Sequence, residues 1–84
     1  MKIHHDKENQ RAWVEKDGFI AEIQYECADG ILNIFHTYVP EELGGQGIAA
    51  KLVEYICQYA QEQDLHVAAT CSYARIWLKR HHLE

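Results

Sequence analysis

No apolar run in this chain approaches the roughly 18 residues that a membrane-spanning helix needs, so no transmembrane segment is expected. A secretory leader is missing as well, and a cytoplasmic location is the expectation that follows. The chain also lacks a basic surplus. Its 8 Lys and Arg stand against 13 Asp and Glu, for a net charge of −5. General nucleic-acid binding is not expected on that balance, because neutralising a phosphate backbone takes clustered cations. Cysteine is scarce: Cys27, Cys57 and Cys71 are odd in number and lack the CxxC spacing of zinc or redox sites. Free thiols in a reducing compartment are expected, and no metal site. Repeats, linkers and low-complexity segments are absent too.

What is there describes an ordinary globule. An apolar share of 48% and an aromatic share of 11% argue against disorder. The 84 residues make one domain, expected over 1–82, and a chain of this size buries only roughly 60% of its unfolded surface. Leu83 and Glu84 read as a tag remnant and receive no functional weight. The cations are unevenly spread. Between Asp17 and Ala74 only Lys51 is basic, whereas Arg75, Lys79 and Arg80 lie together. A local cationic edge on an acidic protein suits a small anionic ligand better than a polymer.

Apolar periodicity orders the elements. Met1–Gln10 is weakly patterned, with a short strand at Lys2–His4. Arg11–Lys16 alternates around Ala12 and Val14, and Asp17-Gly18 is a hairpin signal. Phe19–Cys27 alternates with one buried face, and Asp29-Gly30 is a second hairpin signal. In Ile31–Val39, Leu32, Ile34, His36 and Tyr38 share one side, with Ile31, Phe35 and Val39 on the other. That strand is expected to be central and covered on both faces. From Gln46 to about Gln63 the period becomes 3.6, with Ile48, Leu52, Ile56 and Tyr59 or Ala60 on one stripe. Leu65–Cys71 reads as a short buried strand and Arg75–His82 as a closing helix. The expected class is α/β of the α+β kind: a mainly antiparallel sheet, a long central helix, a further strand and a C-terminal helix.

The most informative stretch is Val39–Leu52, VPEELGGQGIAAKL. Three of the 5 glycines, Gly44, Gly45 and Gly47, crowd into four positions behind the single proline. Glycine leaves main-chain N–H groups unshielded and tolerates left-handed turns. At the first turn of a helix those groups have no intrahelical partner and carry the positive end of the macrodipole. A small anion seat results, suited to a phosphate or pyrophosphate.

Three separated pieces then occur in order: HTxVP at His36–Pro40, GxGIA at Gly45–Ala49, and CxYxxxxLKRH at Cys71–His81. With them the chain resembles the short, YjdJ-type branch of the GNAT superfamily of N-acetyltransferases, from about Ala21 to His82. The resemblance implies a minimal GNAT-like fold and acetyl-coenzyme A as co-substrate. It implies that main-chain groups of the strand carrying Tyr38 and Val39 hold the pantetheine. The pyrophosphate falls to the turn Gly44, Gly45, Gln46, Gly47, Ile48 and Ala49. Two positions depart from the superfamily pattern: Gly44 stands where Gln or Arg is usual, and Trp77 where larger members place a tyrosine acid. Tyr73 lies nearby at a different offset.

Candidate chemistry follows from acyl transfer, which needs a polarised thioester carbonyl and a deprotonated acceptor. Main-chain N–H groups beside Val39 are candidate oxyanion donors. Cys71 is a candidate acetyl carrier, its thiol activated by the following helix N-terminus; the alternative is a small core residue. His36 is a candidate general base, or else a hydrogen-bonded strand histidine. Glu22 and Glu26 are alternative bases or a solvated strand face. Arg75, Lys79 and Arg80 either contact the adenosine phosphates or complement the helix C-terminus. The expected activity is acetyl transfer to an unidentified amine, possible through an acetyl-cysteine, with a non-catalytic coenzyme A binding module as the alternative. The acidic surface favours a cationic acceptor. Neither the acceptor nor the oligomeric state is legible.

Overall fold

A computed structural model describes Met1–Leu83; Glu84, the second residue of the expected tag remnant, lies outside the described residues. The elements run β1 (His4–Asp6), β2 (Arg11–Lys16), β3 (Phe19–Ala28), β4 (Ile31–Tyr38), a 3-10 turn (Glu41–Leu43), α1 (Ile48–Glu62), β5 (His66–Ala69) and α2 (Ser72–Arg80). The five strands form one sheet in sequence order. The first three pairings are antiparallel and β4–β5 is parallel. The mixed α+β class is therefore as the sequence implies.

Local chemistry explains the order. Asp17-Gly18 and Asp29-Gly30 each take positive φ at both residues, the backbone of a tight hairpin turn that matches strand twist. The parallel partner cannot follow through such a turn, so α1 serves as the crossover between β4 and β5. Ala12, Val14, Ala21, Ile23, Leu32 and Ile34 are buried on one sheet face. Leu52 and Ile56 of α1 and Ala74 and Leu78 of α2 join them in a single core.

Several boundaries differ from the sequence reading. The first strand falls at His4–Asp6, and β5 ends at Ala69. The last helix begins at Ser72, three residues earlier than expected, because Ala74 and Leu78, one turn apart, both reach the core. Leu83, read as a tag remnant, is partly buried against the core, and its N–H bonds to Leu78 O at 2.9 Å.

The larger correction concerns β4. Gln24 lies opposite His36, but Tyr25 lies opposite Ile34, so Phe35 is an extra residue in a β-bulge. Because side chains alternate with period two, one inserted residue exchanges the faces beyond it. Leu32 and Ile34 point into the core. Past the bulge Thr37 stands opposite buried Ile23, whereas His36 and Tyr38 stand opposite Gln24 and Glu22 on the outer face. His36 and Tyr38 share a face, as expected, but it is not that of Leu32 and Ile34. Nor is β4 covered on both sides: Ile31 and Phe35 are 42% and 44% exposed.

A second polar cluster ties β1 to the core. The His5 ring hydrogen-bonds the hydroxyls of Tyr25 at 2.7 Å and Tyr55 at 3.4 Å, and meets Tyr59 edge-on. Burial lowers the His5 pKa, Lys7 lowers it further, and Asp6 opposes them. The unfolded chain therefore takes up this proton at higher pH than the fold does, near pH 6.5. The contribution of neutral His5 is complete above that pH and is lost as pH falls below it. Thermal unfolding followed from pH 7 down to 5 should show a falling midpoint, with the slope reduced in His5→Gln. Equal slopes in the two chains would rule this origin out.

Candidate functional site

The end of β4 and the start of α1 enclose a concave site. β5 pairs with β4 only through Ile31–Ile34. The amides of Thr70 and Cys71 then both turn to Ile34 O, at 3.0 and 3.2 Å. From Phe35 onward β4 has no strand partner on that side, and a slot opens. Its far end is a pocket of about 240 Å³ lined by Val39, Pro40, Glu41, Leu43, the three glycines of the turn, Ile48–Ala50 and Tyr73.

The glycine turn carries the donors. Gly45 and Gly47 hold φ of +75° and +72°, left-handed backbone that side-chain-bearing residues rarely adopt, and open space lies where a Cβ would stand. Gly47 is the N-cap of α1 and makes no side-chain capping bond. The first helical bond runs from Lys51 N to Gly47 O, so the amides of Ile48, Ala49 and Ala50 have no helical acceptor. Gly44 differs from its neighbours. Its N–H is spent on Glu41 O at 2.9 Å, and an added Cβ would stand 3.1 Å from that oxygen. The seat therefore spans Gly45 to Ala50. Gly44 shapes the turn without donating to it, and a side chain there would need Glu41 to give by a few tenths of an ångström.

Cys71 closes the near end of the slot. It is the N-cap of α2, and its thiol donates to Thr37 Oγ1 at 3.6 Å. Burial pushes the Cys71 thiol up. The N–H groups of Ala74 and Tyr73, the Thr37 hydroxyl and the Thr37 N–H outweigh burial by favouring the thiolate, and the net shift is downward. Cys27 and Cys57 go the other way. Burial raises both, and Cys57, additionally beside Glu54, reaches about 11. A thiolate is the reactive form, so iodoacetamide at pH 7 should modify Cys71 ahead of the more exposed Cys27, and Cys57 last. Peptide mass mapping over time checks the order, and Thr37→Val should slow Cys71 specifically. Faster modification of Cys27 would contradict it.

The bulge separates the two candidate catalytic residues. Thr37, not His36, faces the Cys71 sulfur; His36 lies with Gln24 on the outer face. There Glu22 accepts from Gln24 at 3.1 Å and pairs with Arg11 at 3.5 Å. Val39 reaches the pocket, while the Tyr38 side chain points away and is 51% exposed. Tyr73 lines the pocket, but Trp77 stacks on His81 with ring centroids 3.9 Å apart. Lys79 and Arg80 sit in the last turn of α2, about 9 Å of helix rise beyond Tyr73, and do not line the pocket. Arg75 donates to Ala69 O at 3.3 Å, which occupies it at the end of β5.

Beside Thr37, a second residue lies outside what sequence reasoning marks. Lys16, at the end of β2, donates through Nζ to Gln46 Oε1 at 2.6 Å and brings an ammonium to the turn. Thirty positions separate the two, so no local pattern joins them. Among the described residues no group of three His, Cys, Asp or Glu side chains is placed to hold a metal, and no helix is long and apolar enough to cross a membrane.

Comparison with known proteins agrees with this geometry. The sequence pattern of a family described as GCN5-related N-acetyl-transferase matches residues 10–84. Protein NATD1 of Mus musculus is 29% identical over 86 residues, covering 99% of this chain and 78% of the relative. Protein NATD1 of Homo sapiens is also 29% identical, covering 99% and 76%. The solution structure of a GCN5-like candidate N-acetyltransferase from Staphylococcus aureus superimposes with a TM-score of 0.77 at 34% identity, over 95% of this chain and 79% of that one.

Proposed function

The chain belongs to the GCN5-related N-acetyltransferase family, and from that premise we propose that it moves an acetyl group from acetyl-coenzyme A to a cationic amine in the cytoplasm. The observation that carries this reading is the run of unshielded amides from Gly45 to Ala50 at the end of the slot beside β4. Glycines without a neighbour within 4 Å let a bulky anion approach the backbone itself. Acetyl-coenzyme A supplies an acyl thioester with a thiolate leaving group.

The chain's own residues supply the rest. Amides of Gly45, Gln46, Gly47, Ile48 and Ala49 receive the diphosphate. Main chain at Tyr38 and Val39, free of a strand partner on the β5 side, receives the pantetheine arm. An N–H beside Val39 aimed at the carbonyl oxygen contributes ~3–4 kcal/mol of transition-state stabilisation. Cys71 is the nucleophile that takes the acetyl group first. Its sulfur bonds to the carbonyl carbon, the thioester C–S bond breaks, and the departing thiolate takes a proton from Tyr73. The amine then attacks acetyl-Cys71, the Cys71 thiolate is restored as the thioester bond breaks, and the proton that the amine releases returns to the Tyr73 oxygen. His36, on the opposite face of β4 from the Cys71 sulfur, takes no part in this step. Lys79 and Arg80 lie where only the outlying adenosine phosphates would reach them.

Incubation with acetyl-coenzyme A and a panel of lysine peptides and polyamines tests this. Thiol release that needs both substrates, and one added acetyl mass that disappears in Cys71→Ala, are the expected results. Binding without thiol release for any amine favours the non-catalytic module, a reading that the engagement of Trp77 with His81 supports. No binding of the coenzyme at all overturns the proposal.

A further inference from the structure

The diphosphate of coenzyme A brings two negative charges to a turn flanked by Glu41 and Glu42, and Gly44 offers it neither a side chain nor an N–H. Main-chain amides alone carry only partial charge. Among the described residues, Lys16 is the cation that hydrogen-bonds into this turn, through Gln46. Neither Lys16 nor Lys51 lines the pocket itself: Lys51 borders a surface with Met1, Ile3 and Glu54, and Lys16 one with Met1, Lys2, Val14 and Glu15, but of the two only Lys16 has a hydrogen bond into the turn. Resting on the coenzyme reading above, we propose that Lys16 is the diphosphate-binding cation of this protein, reaching from the β2–β3 hairpin to supply the charge that Gly44 lacks.

The geometry gives Gln46 a definite part. Its side chain projects between two glycines that have none, and its carbonyl oxygen accepts from the Lys16 ammonium at 2.6 Å. That bond joins a cation to a neutral acceptor. A phosphate oxygen is the stronger acceptor, because its negative charge adds a direct Coulomb attraction to the ammonium that a neutral amide oxygen lacks. The ammonium therefore passes from Gln46 to the diphosphate by side-chain rotation alone, with no backbone movement. Lys16 and Gln46 are both exposed, so the exchange needs no opening of the core.

Calorimetric titration of the full chain with coenzyme A, its 3′-dephospho form and pantetheine tests the assignment. Lys16→Met is expected to weaken coenzyme A and dephospho-coenzyme A alike by about fivefold to tenfold, and pantetheine not at all. Lys16→Arg should retain most of the affinity, and Lys16→Glu should lose more than Lys16→Met. Unchanged coenzyme A affinity in Lys16→Met overturns the inference while leaving the coenzyme reading intact. So does an effect confined to the form carrying the 3′-phosphate, or an equal loss for pantetheine. Failure of the unsubstituted chain to bind coenzyme A overturns both.

Discussion

Gly47→Val should lose coenzyme A affinity by at least about tenfold while the chain stays folded. Gly47 holds φ +72° directly before the first helical residue. An L-residue in that region costs roughly 1–2 kcal/mol, more when β-branched. Relief of the strain rotates the backbone, and with it the direction of the neighbouring amides, on which anion binding depends. The isopropyl group also fills the open space that the anion needs. Gly30→Val is the matched control. Gly30 has φ +79° and the same open surroundings, but lies in the β3–β4 hairpin at the other end of β4. Both variants should lose similar thermal stability, and only Gly47→Val should lose binding in titration calorimetry. Equal binding by the two valine variants would remove the glycine turn from the coenzyme site.

Ile34→Ala should cost about 2–5 kcal/mol, the range for truncating a fully buried branched side chain. Ile34 is wholly buried, opposite Tyr25, and its carbonyl accepts from both Thr70 and Cys71 where the chain leaves the sheet for α2. The methylene and methyl groups it loses are packed against core residues, and a cavity remains. Domains of this size have only about 5–15 kcal/mol in total. A fall in Tm of roughly 10 °C or more is expected by circular dichroism, since each kcal/mol shifts Tm by about 4–8 °C in so small a domain. Phe35→Ala, one residue on, should fall within about 1 kcal/mol because Phe35 is 44% exposed. A larger loss at Phe35 than at Ile34 would mean that the outer face of β4 is covered after all.

Much of this was legible in local pattern. Asp17-Gly18 and Asp29-Gly30 announced their hairpins because only a few residue types accept positive φ at both turn positions. The stripe Ile48, Leu52, Ile56, Ala60 announced α1 because an amphipathic helix must repeat at its own pitch. The bulge at Phe35 was not legible. It arises from the pairing of β3 with β4 and leaves no mark on the alternation of β4 by itself. Alternation alone therefore places His36 on the face of Ile34 and leaves Thr37 unmarked as the partner of Cys71. Nor was the use of the Gly44 N–H legible, since it depends on the 3-10 turn formed by Glu41–Leu43.

The order of elements, the α+β class and the helix-entry glycines rest on interactions between near neighbours in the chain: turn sterics, apolar period and unfilled amides at a helix start. Those the sequence determined by itself. Which side chains meet across the slot was decided only in three dimensions. Strand register placed Thr37 under Cys71, the β2–β3 hairpin carried Lys16 to Gln46, and the end of β5 at Ala69 left β4 open. Contacts between residues some thirty positions apart depend on how sheets and helices pack. No stretch of local pattern records that packing, because each segment alone is compatible with many partners.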